Sequence, residues 1–394
     1  MADEQAIGVA LDAYLADRTV ADALRAWARD HELIVSVPDT PWRRSGGTGA
    51  QLVSLDLLRY SNDRMGAYRQ SVIVKVCAKG DYSAEPQRHK AAWEANPEFS
   101  KKYLVGQPYD SVVLPDGRSM MFQEANFDVG LTCTLGELSV AYQAAGCRRA
   151  FSLILQEWNV PLGFQQKTLN VDEYLKLELR HAMSPGRSAY EWVKNAHLLH
   201  GDRYFPHPAA GESSRDLPNP IRIASEFFGL KDFQVTYFAG YSHGDLHLDN
   251  LVVSRTVAEG PDLDVMQFID LSGFAEDAPL ARDVVTLALS CVFRSLRDGL
   301  EGAQREELVN FLVDGVEGSC PGLPIPLRDT LAEVMYVSSL FLQGGELWHA
   351  QYLLSLLAHA LVYTSYENVG ESGRRWFFYL AARAAESFLA LSGI

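Results

Sequence analysis

The period of the apolar residues changes once along the chain, and that change dictates a molecule of two parts. Between residues 33 and 124 the apolar residues form short, strand-like runs: Leu33-Ile34-Val35, then 51–60, 70–78, 109–114 and 119–124. A polar turn, 61–66, separates the second and third runs, and Pro115-Asp116-Gly117 marks a hairpin between the last two. Residues 84–95 have helical spacing instead, with Ser83 as N-cap and Asn96-Pro97 as the stop. From about residue 135 the spacing is mostly helical: 135–158 and 171–181 are amphipathic, and 352–364 and 376–391 are apolar enough for core helices. Residues 201–220, rich in Pro, Gly, Ser and Asp, read as a loop. The expected fold is α+β, with a small β-rich N-lobe over 31–125 and a larger, mainly helical C-lobe over 126–394. Ahead of them, Ile7, Leu11 and Leu15, then Ala21, Leu24 and Trp27, give residues 1–30 an amphipathic helical pattern, with Asp17 or Thr19 as a cap. This extension is expected to pack on its own domain, and it offers a surface to a protein partner.

Charge and cysteine usage narrow the function classes. The chain of 394 residues has a net charge of −15. Residues 1–125 hold 17 acids and 15 bases, and residues 126–394 hold 33 acids and 20 bases, so the helical part carries the acidity. Such a surface repels nucleic-acid backbones and anionic membranes and attracts cations. Neither nucleic acid nor membrane is therefore expected as a partner. The five cysteines are scattered, with no C-x-x-C pair, which argues against a disulfide or zinc scaffold. Acids stand at the N-terminus where a signal peptide needs bases, and no apolar run reaches membrane-spanning length, so the expected location is cytoplasmic.

The chemistry concentrates in two polar clusters, each beside a β-like run. The first is Ser242-His243-Gly244-Asp245-Leu246-His247-Leu248-Asp249-Asn250, followed by Leu251-Val252-Val253. The second is Asp270-Leu271-Ser272, preceded by Met266-Gln267-Phe268-Ile269. Phosphoryl transfer needs a carboxylate near the attacking hydroxyl, a divalent metal across the phosphates and a cation on them. Asp245 has the position of that carboxylate. Asn250, five residues on, and Asp270 supply hard oxygen donors suited to Mg²⁺. The alternation of His243, Asp245, His247 and Asp249 also permits a metallohydrolase, because an extended strand would bring all four to one face. That alternative leaves Asn250 and Asp270 unexplained.

His-Gly-Asp-Leu-His-x-x-Asn followed by Ile-Asp resembles the motif of aminoglycoside phosphotransferases, choline kinases and related small-molecule kinases with a protein-kinase-like, two-lobed fold. The resemblance implies Asp245 as catalytic base, His243 as a loop-orienting residue and Asp283 as the helix aspartate that braces the loop. Asn250 and Asp270 would hold Mg²⁺, with ATP or GTP as phosphate donor. The match departs at Leu248-Asp249, where Pro-Gly is common, and at Asp270-Leu-Ser, which stands for Asp-Phe-Gly. Upstream, Lys75 in Val72-Ile73-Val74-Lys75-Val76 would bind phosphate, with Glu85 rather than Glu94 as its helix partner. Gly46, Gly47, Thr48 and Gly49 would form the phosphate-covering loop. Gln123, Glu124 and Ala125 would form the hinge whose backbone pairs with the base. The implied activity is γ-phosphate transfer to a hydroxyl of a small cationic molecule or of a peptide Ser or Thr. The alternative is a pseudokinase-like nucleotide-binding scaffold.

Overall fold

A computed structural model describes residues 11–393, apart from 40, 46–49, 60–67, 81–83, 125–131, 160–164, 200–203, 209–213, 224–227, 229, 231, 257–259, 301, 315–319 and 342–345. It is mixed α+β and divides into two compact units. The first comprises residues 1–133 and 252–274, the second 134–251 and 275–394. The sequence boundary at 126 is thus crossed by one returning segment. Residues 252–274 join the first unit because Phe268 bridges to Leu104 and the Leu271–Gly273 turn packs on the helix Glu85–Ala95.

The first unit is built on an antiparallel sheet whose two faces differ sharply. Gln51–Arg59 pairs with Tyr68–Cys77, which pairs with Ser119–Glu124; short strands at Ile34–Ser36, Arg43–Ser45 and Val112–Val113 complete it. Successive side chains alternate between faces. Val53, Leu55, Val72, Val74, Met120 and Phe122 point to one face and are buried there. The helix Arg18–Asp30 covers that face with Val20, Ala21, Leu24 and Trp27, and the Trp27 ring stacks on Phe122 at 4.0 Å. Asp17 is its N-cap, accepting from Val20 N at 3.2 Å. The extension's apolar face is therefore used by its own sheet, leaving its polar face for any partner. The opposite sheet face carries Lys75, in register with Leu52 and Met121.

The second unit is mainly helical. Ala281–Arg297, Ile325–Phe341, Glu346–Tyr363 and Gly370–Leu391 form its core with Val140–Ser152, and Leu287, Leu353, Leu357 and Phe377 are fully buried among them. A three-stranded sheet, Ala275–Pro279, Gln234–Ser242 and Gln165–Asn170, lies with these helices and ends at the Ser242 loop. Two expectations change. The run 135–158 is not one helix: a 3₁₀ turn Leu135–Glu137 precedes Val140–Ser152, and a π turn Leu153–Trp158 ends it. The stretch 201–220 contains an antiparallel pair, Tyr204–Pro208 with Ser214–Pro218, because Leu217 supplies a buried apolar anchor that the composition hides. Among the described residues no helix is long and apolar enough to cross a membrane.

Candidate active site

In the first unit, the helix Glu85–Ala95 assembles a charged cluster from one of its faces. Residues 85, 88 and 89 stand at i, i+3 and i+4, so they project together. Glu85 Oε1 takes Lys75 Nζ at 2.5 Å, Arg88 donates to Ser272 O at 2.5 Å, and His89 Nε2 donates to Val105 O at 2.7 Å. The last two bonds hold the segment around Asp270, because Val105 N in turn donates to Phe268 O at 3.4 Å. Lys75 Nζ also meets Asp270 Oδ2 at 2.9 Å. Glu94, the other candidate partner for Lys75, is exposed.

Asp270 has φ 59° and ψ 62°, a left-handed conformation that asparagine and aspartate adopt more readily than other L residues. Strain of this kind costs roughly 1–3 kcal/mol and persists where surrounding contacts enforce it. Here the contacts are Lys75 and the Arg88–Ser272 bond.

Among the described residues the electrostatics of the cluster are unbalanced: two carboxylates share one ammonium. Lys75 and Glu85 side chains are 4% and 3% exposed, whereas Asp270 is 30% exposed. Burial works to lower the Lys75 pKa, and Asp270 and Glu85 more than offset it, so the ammonium stays charged. Burial, and then the Asp270 charge, push the Glu85 carboxyl above its ordinary value despite Lys75. The Lys75 direction expresses the two carboxylates around it, and the Glu85 direction expresses its burial first and the Asp270 charge second. Cys77, whose Sγ lies 3.5 Å from Glu85 Oε2, is pushed up to about 12 by burial and by Glu85 and is no nucleophile.

In the second unit, Asp283 collects the loop that carries Asp245. It sits in the first turn of Ala281–Arg297, 1% exposed. Its Oδ1 accepts from Ser242 Oγ at 3.0 Å and Gly244 N at 2.9 Å, and its Oδ2 accepts from His243 N at 2.8 Å. Gly244 has φ 77°, which lets the chain turn there. Asn250 Nδ2 donates to Asp245 O at 2.9 Å, closing the loop through its amide nitrogen. The half-buried Asp245 carboxylate makes no hydrogen bond or ion pair among the described residues. Every other acid in the loop is engaged: Asp249 meets Arg294 at 2.6 Å and Thr134 Oγ1 at 3.1 Å.

The metallohydrolase arrangement does not form. His247 caps the 3₁₀ turn Leu248–Asn250 by accepting from Asp249 N at 3.2 Å, so the four alternating residues do not lie on an extended strand. Among the described residues no group of three or more His, Cys, Asp or Glu is arranged to hold a metal. Mg²⁺ does not require such a cluster, because it takes one or two protein oxygens and fills the rest of its shell with water and phosphate.

The remaining expected residues divide. Gly46, Gly47, Thr48, Gly49 and Ala125, with the cap Ser83, lie outside the described residues. Gln123 is 4% exposed. Glu124 N donates to Gly106 O at 2.8 Å, so this hinge N–H is engaged within the protein and does not face a base. Cys147 is buried, and Cys291 and burial push its thiol up. Sequence reasoning missed Arg88, His89 and Asn159. The spacing of Glu85, Arg88 and His89 was available as a signal; for Asn159, discussed below, none was.

No family model matches the chain. No curated protein matches it either. Among solved structures it is similar to a candidate aminoglycoside phosphotransferase from Ralstonia eutropha JMP134, with a TM-score of 0.43 at 13% identity, covering 93% of this chain and 97% of that one. It is also similar to a glucosamine kinase in complex with glucosamine, ADP and inorganic phosphate, with a TM-score of 0.40 at 13% identity, covering 95% and 85%. A spectinomycin phosphotransferase in complex with ADP and spectinomycin gives a TM-score of 0.37 at 10% identity, covering 90% and 94%.

Proposed function

We propose that the protein is a kinase: a phosphotransferase of the aminoglycoside phosphotransferase-like, protein-kinase-like kind that moves the γ-phosphate of ATP or GTP to an acceptor hydroxyl. The observation that carries this reading is the Lys75–Glu85–Asp270 cluster, in which a buried lysine is held between one buried and one accessible carboxylate. A lysine so held keeps its charge, is fixed in position and can reach an anion on the Asp270 side. Phosphate is the anion that also explains a second, cation-seeking carboxylate beside it.

In this reading Lys75 binds phosphate oxygens and Glu85 orients its ammonium. Asp270 and the Oδ1 of Asn250 would hold the divalent cation. Magnesium bound there supplies charge neutralisation across the phosphates. Asp245, whose carboxylate has no partner among the described residues, accepts the proton of the acceptor hydroxyl as that oxygen bonds to the γ-phosphorus. The bridging P–O bond breaks and the nucleoside diphosphate leaves with the electron pair. Asp283 keeps the Asp245 loop in place through three donors, and His243 shapes the same turn. The acidic surface of residues 126–394 favours a cationic small molecule, or a basic peptide Ser or Thr, as acceptor. A reducing, cytoplasmic setting agrees with five cysteines that are all free.

The test is γ-phosphate transfer from labelled ATP and GTP with Mg²⁺ to aminoglycosides, amino alcohols and Ser/Thr peptides. Asp245→Asn is expected to lower transfer on the order of 10²–10⁴-fold while Mg·nucleotide binding persists. Transfer that survives undiminished in the variant would sink the assignment. Nucleotide binding without transfer to any acceptor would favour the scaffold alternative.

A further inference from the structure

We propose that Asn159 is a positioning residue for the Asp245 loop, its carboxamide pairing with both backbone groups of Tyr241. The catalytic consequence rests on the phosphotransfer reading above; the restraint on the backbone stands on geometry alone.

The strand Gln234–Ser242 leads directly into the loop. Its ladder with Gln165–Asn170 ends, among the described residues, at Ala239 opposite Gln165. In an antiparallel strand the N–H and C=O of one residue point to the same side, and alternate residues share that side. Tyr241 therefore directs its backbone groups to the same edge as Ala239. On the other edge, the register with Ala275–Pro279 slips between Gly240 and Ser242. Among the described residues, regular pairing thus stops or slips on both edges just before the residues that matter.

Asn159 fills the first gap. Tyr241 N donates to Asn159 Oδ1 at 2.7 Å, and Asn159 Nδ2 donates to Tyr241 O at 3.0 Å. This is the donor–acceptor pair that a strand residue would offer. The second Nδ2 proton goes to Ile154 O at 3.0 Å, so both amide protons are used. The residue is 1% exposed. No other side chain of this length offers two donors and an acceptor: aspartate lacks the donors and leucine lacks all three. The π turn Leu153–Trp158, with one extra residue in its turn, fixes where Asn159 emerges, and Asn159 N closes it on Ile154 O at 3.1 Å.

Gly240 makes the approach possible. A Cβ there would lie 2.3 Å from Asn159 Oδ1 and 3.1 Å from a Leu280 methyl. From Tyr241 onward the grip passes to Asp283, which takes Ser242, His243 and Gly244. Four consecutive residues ahead of Asp245 are thereby held by two side chains, one on each side of the strand's end.

The experiment combines amide hydrogen exchange with steady-state kinetics on wild type, Asn159→Ala and the milder Asn159→Ser. In wild type the Tyr241 amide should exchange as slowly as those paired within the ladder. In either variant the amides of residues 241–245 should exchange at least about tenfold faster, with those of Ala281–Arg297 unchanged. Turnover should fall roughly 10–100-fold with the nucleotide KM within about twofold, the signature of a displaced reacting group rather than a lost binding one. If Asn159→Ala does not fold, Asn159→Ser and the wild-type Tyr241 amide still decide. Fast exchange of Tyr241 in wild type, unchanged exchange in the variants, or a loss confined to KM overturns the proposal. If the wild type transfers no phosphate at all, the phosphotransfer reading falls and exchange alone judges the restraint.

Discussion

Two buried clusters of charge, one in each unit, have similar parts and opposite character. Lys75, Glu85 and Asp270 form the first. Glu178, Arg282 and His359 form the second, with Arg282 Nε and a terminal nitrogen on Glu178 Oε1 at 3.0 and 2.8 Å, and His359 Nε2 on Oε2 at 3.1 Å. In the second cluster every side chain is nearly inaccessible, at 0%, 1% and 9% exposure, and the single carboxylate is outnumbered by donors. Burial works to raise the Glu178 pKa, but Arg282 and His359 hold it down at about 2. In the first cluster the carboxylates outnumber the cation, one of them is accessible, and the Glu85 pKa is raised. Buried charge alone does not mark a site. The sign of the imbalance, and an opening to solvent, distinguish the two: one cluster is closed, and the other, among the described residues, holds more carboxylates than cations and is the one proposed as a site.

That contrast can be broken by measurement. The largest effect is expected in the closed cluster, where Arg282→Met leaves Glu178 short of its main partner. Removing one member of a buried pair costs about 3–5 kcal/mol. Denaturant unfolding should show that loss, while the variant, once folded, binds Mg·nucleotide as wild type does. A specific loss of nucleotide affinity in the folded variant would erase the distinction between the clusters.

Acid titration comes next. Glu178 has a folded pKa of about 2 against an ordinary value of 4.5. Between these values the unfolded chain binds the extra proton, so the contribution is full above pH 4.5 and is lost as pH falls toward 2. The difference corresponds to about 3 kcal/mol. Unfolding curves of wild type and Glu178→Gln at pH 7, 4.5 and 3 should converge as the acid range is entered. Parallel curves would show that Glu178 is not the group holding that stability.

In the open cluster, Asp270→Ala should weaken Mg²⁺-dependent nucleotide binding by roughly 10–100-fold, the value of one charge-assisted contact. Calorimetry with and without EDTA measures this. Folding stability should change little, because relief of the excess negative charge is offset by placing alanine at a left-handed backbone position that aspartate adopts more readily. Pronounced destabilisation with unchanged binding would place Asp270 in the structural class instead. The smallest effect belongs to the exposed pair Lys176–Asp172, 2.5 Å apart at i,i+4. Lys176→Ala should cost no more than about 0.5 kcal/mol by thermal unfolding. A larger loss there would mean that proximity of charges, rather than burial, governs this molecule.

The closed cluster was illegible in the sequence and the open one partly legible, for a physical reason. Lys75 announced itself as a lone cation within an apolar strand, and Asp270 as a carboxylate ending an apolar run. Each is a local contradiction of hydrophobic patterning. Glu178 and Arg282 sit beside other charged residues on their helices, where a charge is ordinary; His359 interrupts the apolar run 352–364, but only the packing of three helices brings it to Glu178. The loop 201–220 misled in the opposite sense, since its Pro and Gly content concealed a hairpin anchored by Leu217. Asn96, read as a stop, also starts the next helix, Pro97–Tyr103, by accepting from Phe99 N at 3.2 Å. A residue that ends one helix can cap another because both tasks need the same non-helical backbone.

By itself the sequence determined the period change that separates a β-rich part from a helical one. It also determined the two polar clusters that nominate Asp245, Asn250 and Asp270. Those features are encoded within a few residues, where spacing and chemistry suffice. Tertiary structure decided that residues 252–274 return to the first unit, and that Glu85 rather than Glu94 meets Lys75. It also decided that Asn159, 82 residues from Tyr241, pairs with both of its backbone groups. These depend on which surfaces meet after the chain has folded. A hydrogen bond between distant residues leaves no periodicity in the sequence, because the backbone groups it satisfies are the same at every position.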